Sequence, residues 1–267
     1  MAAVTVATLN IWNRLGPWEA RLDVIRSELG RLLPDVIGLQ EIIFMQGEHE
    51  VNQAEDIARG LGYQVALGRG VDATPWGLCN AVLSRWPITR SATFSLPGTT
   101  ESRSVVFAEI DSPGGKLPFF STHLNWKLDE GHVREQQVRA LTSFVRKMAP
   151  AESPGSLPPV VVGDFNAEPD SDEIRYMRGL TSLGGTSVYF ADCFAVAGDG
   201  SRGTTFARRN PYALALREPD RRIDYIFVAG PDEKLRGEPL SARVCFDEPA
   251  GEVWPSDHFG VIATIST

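Results

Sequence analysis

The stretch Val160-Val161-Val162-Gly163-Asp164-Phe165-Asn166 is the starting point for predicting both the fold and the site. Its valines predict a short β-strand. Two side chains with oxygen atoms, Asp164 and Asn166, follow the strand directly, and the ends of strands are where a rigid scaffold presents functional groups. Taken alone, residues 163–166 could also form an ordinary Asx turn.

Polar residues stand beside apolar strands at five other places in the chain. They are Asn10, the pair Gln40-Glu41, His123, Asp224 and the pair Asp257-His258. Each has an ordinary explanation, such as a turn, a surface position or a hydrogen-bonded histidine. Asp224 resists that explanation because Ile223 and Ile226 flank it, and a buried charge needs a partner. The ordinary explanations would have to hold independently at six places, which favours one shared site.

The residue types in this set fit one kind of chemistry. Hard oxygen ligands come from Glu41, Asp164, Asp257, Asn10 and Asn166. No cysteine joins them, and oxygen-rich sites suit Mg²⁺, Mn²⁺ or Ca²⁺ better than zinc. His258 can accept a proton near neutral pH, and a carboxylate such as Asp224 would fix its tautomer.

The apolar patterns predict a layered fold. Amphipathic helices are expected over residues 18–32 and 133–148, where apolar residues share one helical face. Strands are expected at residues 4–9, 35–40, 81–84, 105–110, 118–122, 160–162, 223–228 and 260–265. Many short strands with a few long helices predict an α/β or α+β fold. A barrel or a doubly wound sheet is not expected, because strands and helices do not alternate strictly.

Length, charge and cysteine content narrow the class of protein. The 267 residues suffice for one large domain or two small ones. The net charge of −8 works against non-specific binding to long nucleic acids. An arginine-rich stretch at residues 202–222 could face a substrate or be a salt-bridged surface. Three widely spaced cysteines favour a reducing cytoplasm, and neither a signal peptide nor a membrane span is expected.

The order of these motifs resembles the endonuclease/exonuclease/phosphatase superfamily. The motifs are Asn10, Leu39-Gln40-Glu41, residues 80–85, Thr122-His123-Leu124, residues 163–166, Arg222-Ile223-Asp224-Tyr225 and Ser256-Asp257-His258. The match runs from about Val4 to Ile265, so the resemblance implies a single domain over residues 1–267. It also implies a four-layer sandwich of two packed, mostly antiparallel β-sheets flanked by helices, with the site at one end.

The resemblance implies a metal site. Glu41 would be the principal metal ligand, and Asn10 and Asp257 would assist it. The metal would be Mg²⁺ or Mn²⁺, as one or two ions.

The resemblance also implies roles for the remaining residues. Asp164 would orient or deprotonate the attacking water, or hold a second metal. His123 and Asn166 would bind the phosphoryl oxygens. Asp224 and His258 would form an acid/base dyad. The reaction would be in-line attack of water on phosphorus, with positioning and charge stabilisation supplying most of the rate.

Departures from the family pattern narrow the choice of the branch that this chain resembles. His123 stands where abasic-site endonucleases carry a tyrosine, and Trp12 stands where they carry an aspartate. Residues 221–224 lack the Trp-Cys-Asp-Arg motif of inositol polyphosphate phosphatases. The pair His123-Leu124 with the upstream Glu101-Ser102-Arg103 is closer to the pancreatic-DNase, sphingomyelinase and deadenylase branches.

Four residues are predicted to bind the substrate, namely Arg103, Asn80, Asn210 and Tyr212. Arg103 could reach a phosphate or form a structural salt bridge. Asn210 and Tyr212 lie in a segment expected beside the site, where an Asn-Pro turn is the simpler explanation of Asn210.

The expected function is that of a metal-dependent phosphodiesterase or nuclease acting on a phosphate-ester substrate. The alternative is a phosphohydrolase of a small-molecule or lipid phosphate ester, similar to a sphingomyelinase. A non-catalytic binding module on the same fold is a third hypothesis, and the intact set of carboxylates and histidines argues against it. No protein partner is predicted.

Overall fold

The computed structural model describes residues 2–46, 51–69, 76–98, 102–150 and 155–267. Within these ranges the strands are β1 Ala3–Asn10, β2 Val36–Met45, β3 Val51–Asn52, β4 Gln64–Gly68, β5 Trp76–Ser84, β6 Ile88–Leu96, β7 Arg103–Ser112, β8 Gly115–His123, β9 Val160–Asp164, β10 Ala191–Asp192, β11 Asp224–Val228, β12 Pro239–Cys245 and β13 Gly260–Ser266. The helices are α1 Trp18–Leu32, α2 Gln53–Ala58, α3 Gly131–Met148, α4 Asp172–Met177, α5 Cys193–Ala197 and α6 Pro211–Leu214.

The strands form two mixed sheets. The first sheet has the order β12-β13-β1-β2-β5-β4, with β3 paired to β2. The second sheet has the order β10-β11-β9-β8-β7-β6. In the described strands, only β1–β2 and β8–β9 pair in parallel. The expectation of two mostly antiparallel sheets is therefore confirmed.

Helices cover the outer face of each sheet, which completes the four layers. The apolar face of α1, including Trp18, Ile25 and Leu29, packs with α2 on the first sheet. The apolar face of α3, including Val138 and Leu141, packs with α4 on the second sheet. Both amphipathic helices predicted from the sequence are thus confirmed. Within the described residues, no helix is both long and apolar enough to cross a membrane.

Apolar side chains from the inner faces of the two sheets fill the space between them. A glycine lets the sheets approach closely in the first half of β2. A Cβ atom at Gly38 would lie 2.4 Å from Cγ2 of Val162 and 2.9 Å from Oγ of Ser121. Two residues later, Nε2 of Gln40 donates to the same Ser121 hydroxyl at 2.9 Å. The first half of β2 is therefore held against β8 and β9.

The strand ends that carry polar residues lie at the same end of the sandwich. Asn10 stands opposite Gln40 in the parallel pair β1–β2, and His123 stands opposite Asp164 in the parallel pair β8–β9. Strand β11 runs antiparallel to β9 and begins at Asp224, opposite Asp164. Parallel neighbours end at the same sheet edge, so the pairing brings these residues together.

Candidate active site

A cleft of about 830 Å³ opens at this end of the sandwich. Eight of the twelve predicted site residues line it, namely Glu41, Asn80, Arg103, His123, Asp164, Asn166, Asp257 and His258. Two others stand directly behind this lining, because Asn10 contacts Glu41 and Asp224 contacts His258. The structure therefore brings together residues that are up to about 250 positions apart in the chain.

Glu41 enters the cleft through an irregularity in β2. The pairing of β2 with β5 shifts register between Leu39 and Ile42, and Glu41 has a φ angle of 59°. A non-glycine residue in this left-handed region costs about 1–3 kcal/mol and is held there by its surroundings. Such bulges turn a side chain away from the regular pattern of the strand. The side chain of Glu41 accepts hydrogen bonds from Asn10 and from Asn13.

The amide of Asn10 lies between two carboxylates. Its Nδ2 donates to Oδ2 of Asp164 at 3.1 Å and to Oε1 of Glu41 at 3.3 Å. Its Oδ1 accepts the backbone N–H of Trp12 at 3.0 Å. The amide nitrogen therefore faces the carboxylates, whereas a metal ligand would have to present the oxygen. In this geometry Asn10 orients Glu41 and Asp164, and ligation of a metal by Asn10 stays a prediction.

Asp164 is the central carboxylate of the cleft. Its Oδ1 accepts the backbone N–H of Asn166 at 2.9 Å. Its Oδ2 lies 3.3 Å from Nε2 of His123 and 3.7 Å from Nε2 of His258. Burial raises the pKa of Asp164 to about 7, and repulsion from Asp224 adds to the effect while the charge of His258 opposes it. A carboxyl group of this kind can exchange a proton near neutral pH.

His123 and Asn166 form a second polar pair beside Asp164. Nδ2 of Asn166 lies 3.1 Å from Nε2 of His123 and donates to the carbonyl of Leu124 at 3.2 Å. Asn166 has a φ angle of 51°, which turns its side chain back over the end of β8. Burial lowers the pKa of His123 well below 6.5, and the charges of Arg103 and His258 act in the same direction. His123 is therefore neutral at pH 7.

Asp224 and His258 form the predicted dyad. Nδ1 of His258 lies 3.0 Å from Oδ2 of Asp224, and both side chains are buried. Burial alone would lower the pKa of His258, but attraction to Asp224, Asp164 and Asp257 outweighs it and raises the pKa well above 6.5. The imidazole is therefore protonated at neutral pH. The geometry of a dyad is present, with His258 in its acid form.

Asp257 adds a third carboxylate to the cleft wall. Its Oδ1 accepts a hydrogen bond from Oγ of Ser256 at 3.2 Å. Burial raises the pKa of Asp257 to about 6; the nearby His258 opposes this increase and the negative charge of Glu41 adds to it. The raised pKa values of Asp164 and Asp257 reflect mainly the burial of both carboxyl groups, which disfavours their charged forms. A divalent cation held by hard oxygen donors would offset this cost, so the donor set fits one.

Among the residues that the structure describes, two groups could hold a cation. One is the predicted set around Glu41 and Asp257. The other is Asp164, Asp224 and His258, whose ligand atoms lie within 4.8 Å of one another. In the second group Nδ1 of His258 is already engaged by Asp224, and a protonated imidazole between two carboxylates explains the cluster without a metal. The first group is therefore the better candidate.

The predicted substrate-binding residues Asn80 and Arg103 line the cleft. The amide of Asn80 donates to the carbonyl of Ser104 at 2.8 Å, which ties β5 to β7. The positive charge of Arg103 acts on His123 and helps to lower its pKa. Glu101, the first residue of the motif that contains Arg103, lies outside the described residues.

The structure corrects the role expected for Asn210. Its Nδ2 donates to the carbonyl of Ser256 at 2.7 Å, and its Oδ1 accepts the N–H of Tyr212 at the start of α6. The side chain has no exposed surface for a substrate to contact. Asn210 therefore holds the backbone beside Asp257 in place. Tyr212 stacks on Trp12, with ring centroids 4.8 Å apart, and it is Trp12 that lines the cleft.

Two residues of the site were missed by the reasoning from sequence. Asn13 donates to Glu41, and Arg21 holds the loop that carries Asn13. A second asparagine three residues after Asn10 was the available signal for Asn13.

Thr205 and Phe206 lie in the segment 204–212, which was expected beside the site, but no role was predicted for them. Oγ1 of Thr205 accepts the backbone N–H groups of Ile223 and Asp224 at the start of β11. The ring of Phe206 packs edge-on against His258 at 5.1 Å.

Three of the six arginines in the stretch 202–222 are engaged in ion pairs. Arg222 binds Asp192 through two hydrogen bonds of 2.9 and 3.1 Å. Arg221, which lines the cleft, pairs with Glu218, and Arg209 pairs with Asp247 and with Glu248. The salt-bridge explanation therefore applies to these three arginines.

Comparison with known proteins identifies the family of the chain. The profile of the Endonuclease/Exonuclease/phosphatase family matches residues 7–258. A probable RNA exonuclease of Schizosaccharomyces pombe is 27% identical over 162 residues, which cover 57% of this chain and 31% of that protein. The match thus spans about a third of the length of that relative.

Several solved structures share the fold. A Bacteroides vulgatus endonuclease/exonuclease/phosphatase superposes with a TM-score of 0.76 and 20% identity, covering 100% of this chain and 99% of that chain. D. rerio TDP2 in complex with a single-strand DNA product superposes with a TM-score of 0.75 and 18% identity, covering 100% of both chains. The human Nocturnin catalytic domain with bound sulfate superposes with a TM-score of 0.71 and 20% identity, covering 99% of this chain and 94% of that chain. The chain therefore belongs to the endonuclease/exonuclease/phosphatase family of hydrolases, which act on phosphate ester bonds.

Proposed function

We propose that the chain is a divalent-cation-dependent phosphodiesterase that hydrolyses a P–O bond of a nucleic acid or nucleotide by in-line attack of water. One observation carries the proposal. Glu41 and Asp257 line the same cleft as Asp164 and His258, and Asp224 supports His258 from behind. A set of carboxylates beside a buried acid/base pair suits the transfer of a phosphoryl group to water.

The cation would be held by Glu41 and Asp257. When bound, Mg²⁺ or Mn²⁺ would neutralise the phosphate and stabilise charge on the departing oxygen. Asn10 would join these ligands only if its amide turned and gave up the bond to the N–H of Trp12. Without that turn, Asn10 keeps the Glu41 and Asp164 carboxylates apart and oriented.

Asp164 and His258 would divide the proton transfers between them. Asp164, with its pKa of about 7, would orient the attacking water and take its proton. His258, kept in its acid form by Asp224, would donate a proton from Nε2 to a phosphoryl or leaving oxygen. His123 and Asn166 would contact the remaining phosphoryl oxygens from the second sheet.

The walls of the cleft support a substrate with planar groups. Trp76 and Leu78 stand on one wall and are 68% and 57% exposed, and Trp126 is 49% exposed. Bases of a single strand stack on such side chains, at about 1–3 kcal/mol each. The S. pombe relative is named a probable RNA exonuclease, and the D. rerio neighbour was solved with a single-strand DNA product. Both names agree with this choice of substrate.

The same apolar walls favour one second candidate, a phosphohydrolase of a lipid or small-molecule phosphate ester. The cleft offers few cations for a long polyanion, since Arg221 is paired with Glu218. A hydrophobic substrate would need only one phosphate contact and an apolar wall.

We also propose a cytoplasmic location, which the three free, buried cysteines support.

A substrate panel tests the proposal. Single-stranded DNA and RNA, sphingomyelin, a phosphomonoester and a small p-nitrophenyl phosphodiester would each be incubated with Mg²⁺, with and without chelator. Fastest turnover of a single strand, abolished by chelator, is expected. Sphingomyelin as the best substrate would favour the second candidate. Hydrolysis of none of them, or hydrolysis that survives chelator, would contradict the proposed function.

A further inference from the structure

The carboxylate of Glu41 is held by two asparagine amides, one on each oxygen. Nδ2 of Asn10 donates to Oε1 at 3.3 Å, and Nδ2 of Asn13 donates to Oε2 at 2.8 Å. The second bond is the shorter of the two. Asn13 is partly exposed on the wall of the cleft, whereas Asn10 is buried behind it.

Two local turns fix which end of each amide faces Glu41. The backbone N–H of Trp12 donates to Oδ1 of Asn10 at 3.0 Å, and that of Leu15 donates to Oδ1 of Asn13 at 3.1 Å. A backbone N–H can bond only to the amide oxygen, so the amide nitrogen must point the other way. Both asparagines form Asx turns, and both present N–H groups to the carboxylate.

A buried arginine holds this strained loop in place. Trp12 and Asn13 have φ angles of 57° and 37°. The guanidinium of Arg21, on α1, donates to the carbonyls of Ile11, Trp12, Asn13, Leu15 and Pro255 at 2.7–3.2 Å. Five donors in a rigid fork serve five carbonyl acceptors. The bond to Pro255 also ties the loop to the segment that leads into Asp257.

A second buried side chain connects the loop to the strand that carries Glu41. Nε2 of Gln53 donates to the carbonyl of Asn13 at 3.0 Å, and its Oε1 accepts the N–H of Ile43 at 2.7 Å. Asn13 is thus fixed through its backbone relative to β2, independently of its own bond to Glu41. Such over-determined placement is typical of a group that orients a metal ligand.

We propose that Asn13 is a positioning residue for cation binding: held by Arg21 and Gln53, it fixes the Glu41 carboxylate in the orientation that a divalent cation requires. The inference rests on the proposed function, because it takes Glu41 as a ligand of that cation. Outer-shell partners of this kind typically change metal affinity by about 10–100-fold when they are removed.

Mn²⁺ affinity, measured by calorimetry on the full chain, tests the role of Asn13. In Asn13→Ala the dissociation constant for Mn²⁺ should rise about 10–100-fold. Asn13→Ser should give the same rise, because serine can keep the turn with Leu15 but is too short to reach Glu41. The serine variant also keeps the test valid if the alanine variant folds poorly.

Ser201→Ala is the control. Oγ of Ser201 likewise accepts a backbone N–H group, that of Gly203 at 3.2 Å, but it lies in an exposed turn outside the cleft lining. Its removal should leave the Mn²⁺ dissociation constant unchanged. Wild-type or tighter Mn²⁺ binding by folded Asn13→Ser would overturn the inference. Glu41→Gln distinguishes the positioning role of Asn13 from the ligand role of Glu41. If this variant also binds Mn²⁺ normally, Glu41 is not a ligand and the proposed metal site is wrong as well.

Discussion

Replacement of Asp257 by asparagine should stabilise the metal-free protein at pH 8. Asp257 is 5% exposed, and its pKa is raised from 3.8 to about 6, mainly by burial. An asparagine oxygen can keep the hydrogen bond from Ser256 while it removes the buried charge. Asp257 is also a proposed metal ligand, so the same substitution should weaken the binding of Mn²⁺. Stability and function are expected to change in opposite directions.

The magnitude follows from the difference in pKa between the folded and unfolded chain. Well below pH 3.8 the Asp257 carboxyl group is protonated in both the folded and the unfolded chain, so it does not change the free energy of unfolding. As the pH rises from about 4 to about 6, the unfolded chain ionises first, so the folded state loses stability. Above pH 6 the loss reaches about 3 kcal/mol. For a chain of this length that corresponds to about 5 °C or more in melting temperature.

Thermal unfolding in the presence of chelator measures this effect. Asp257→Asn should melt about 5 °C above the wild type at pH 8, and the difference should shrink toward pH 4 and close at about pH 3, where the carboxyl group is protonated in both the folded and the unfolded chain. Asp111→Asn, the same change at an exposed position on β7, should have little effect at either pH. An unchanged or lower melting temperature for Asp257→Asn at pH 8 would refute the view that the buried, ionised Asp257 carboxylate destabilises the metal-free protein.

Three further predictions follow from other contacts. His258→Ala should lower kcat about 10²–10⁴-fold while Mn²⁺ still binds, and near-normal turnover would remove His258 from the proton transfer. Arg21→Lys should lower the free energy of unfolding by about 2–4 kcal/mol in denaturant titrations, because an ammonium group has three donors for five carbonyls. Trp126→Ala should lower kcat/KM for a single-stranded oligonucleotide about 5-fold or more, whereas Tyr189→Ala, an exposed aromatic outside the cleft lining, should not.

Much of the site could be predicted because its residues stand at the ends of apolar strands. Asp164 and His123 stand at the ends of two buried strands that pair in parallel. Their positions in the sequence were therefore enough to predict that the two side chains lie close together. Glu41 could be predicted as a site residue, but its orientation could not. That orientation depends on a bulge between Leu39 and Ile42, which no local sequence signal marks.

Arg21 and Thr205 act through backbone groups of other segments. Arg21 lies on a predicted amphipathic helix, where an arginine is expected to face solvent, and its five acceptors are carbonyls that a sequence does not display. Asn210 was misassigned for the same reason, since its partners are the carbonyls of residues 256 and 257.

Edge strands were the part of the fold that the pattern failed to predict. Strand β6, Ile88–Leu96, forms one edge of the second sheet, and β12, Pro239–Cys245, forms one edge of the first. Most side chains of β6 are exposed or only half-buried, so it lacks the apolar run that marks a central strand. The same physics explains why the predicted strands at the centres of the two sheets were found.

The position of a bound cation would show whether Glu41 and Asp257 form the metal site. A crystal soaked with Mn²⁺ would locate the ion by its anomalous scattering. The anomalous peak is expected within bonding distance of the Glu41 and Asp257 carboxylates, and it should be lost in Glu41→Gln. A peak bound by Asp164, Asp224 and His258 without Glu41, or no peak in the cleft at saturating Mn²⁺, would contradict a metal site formed by these two carboxylates.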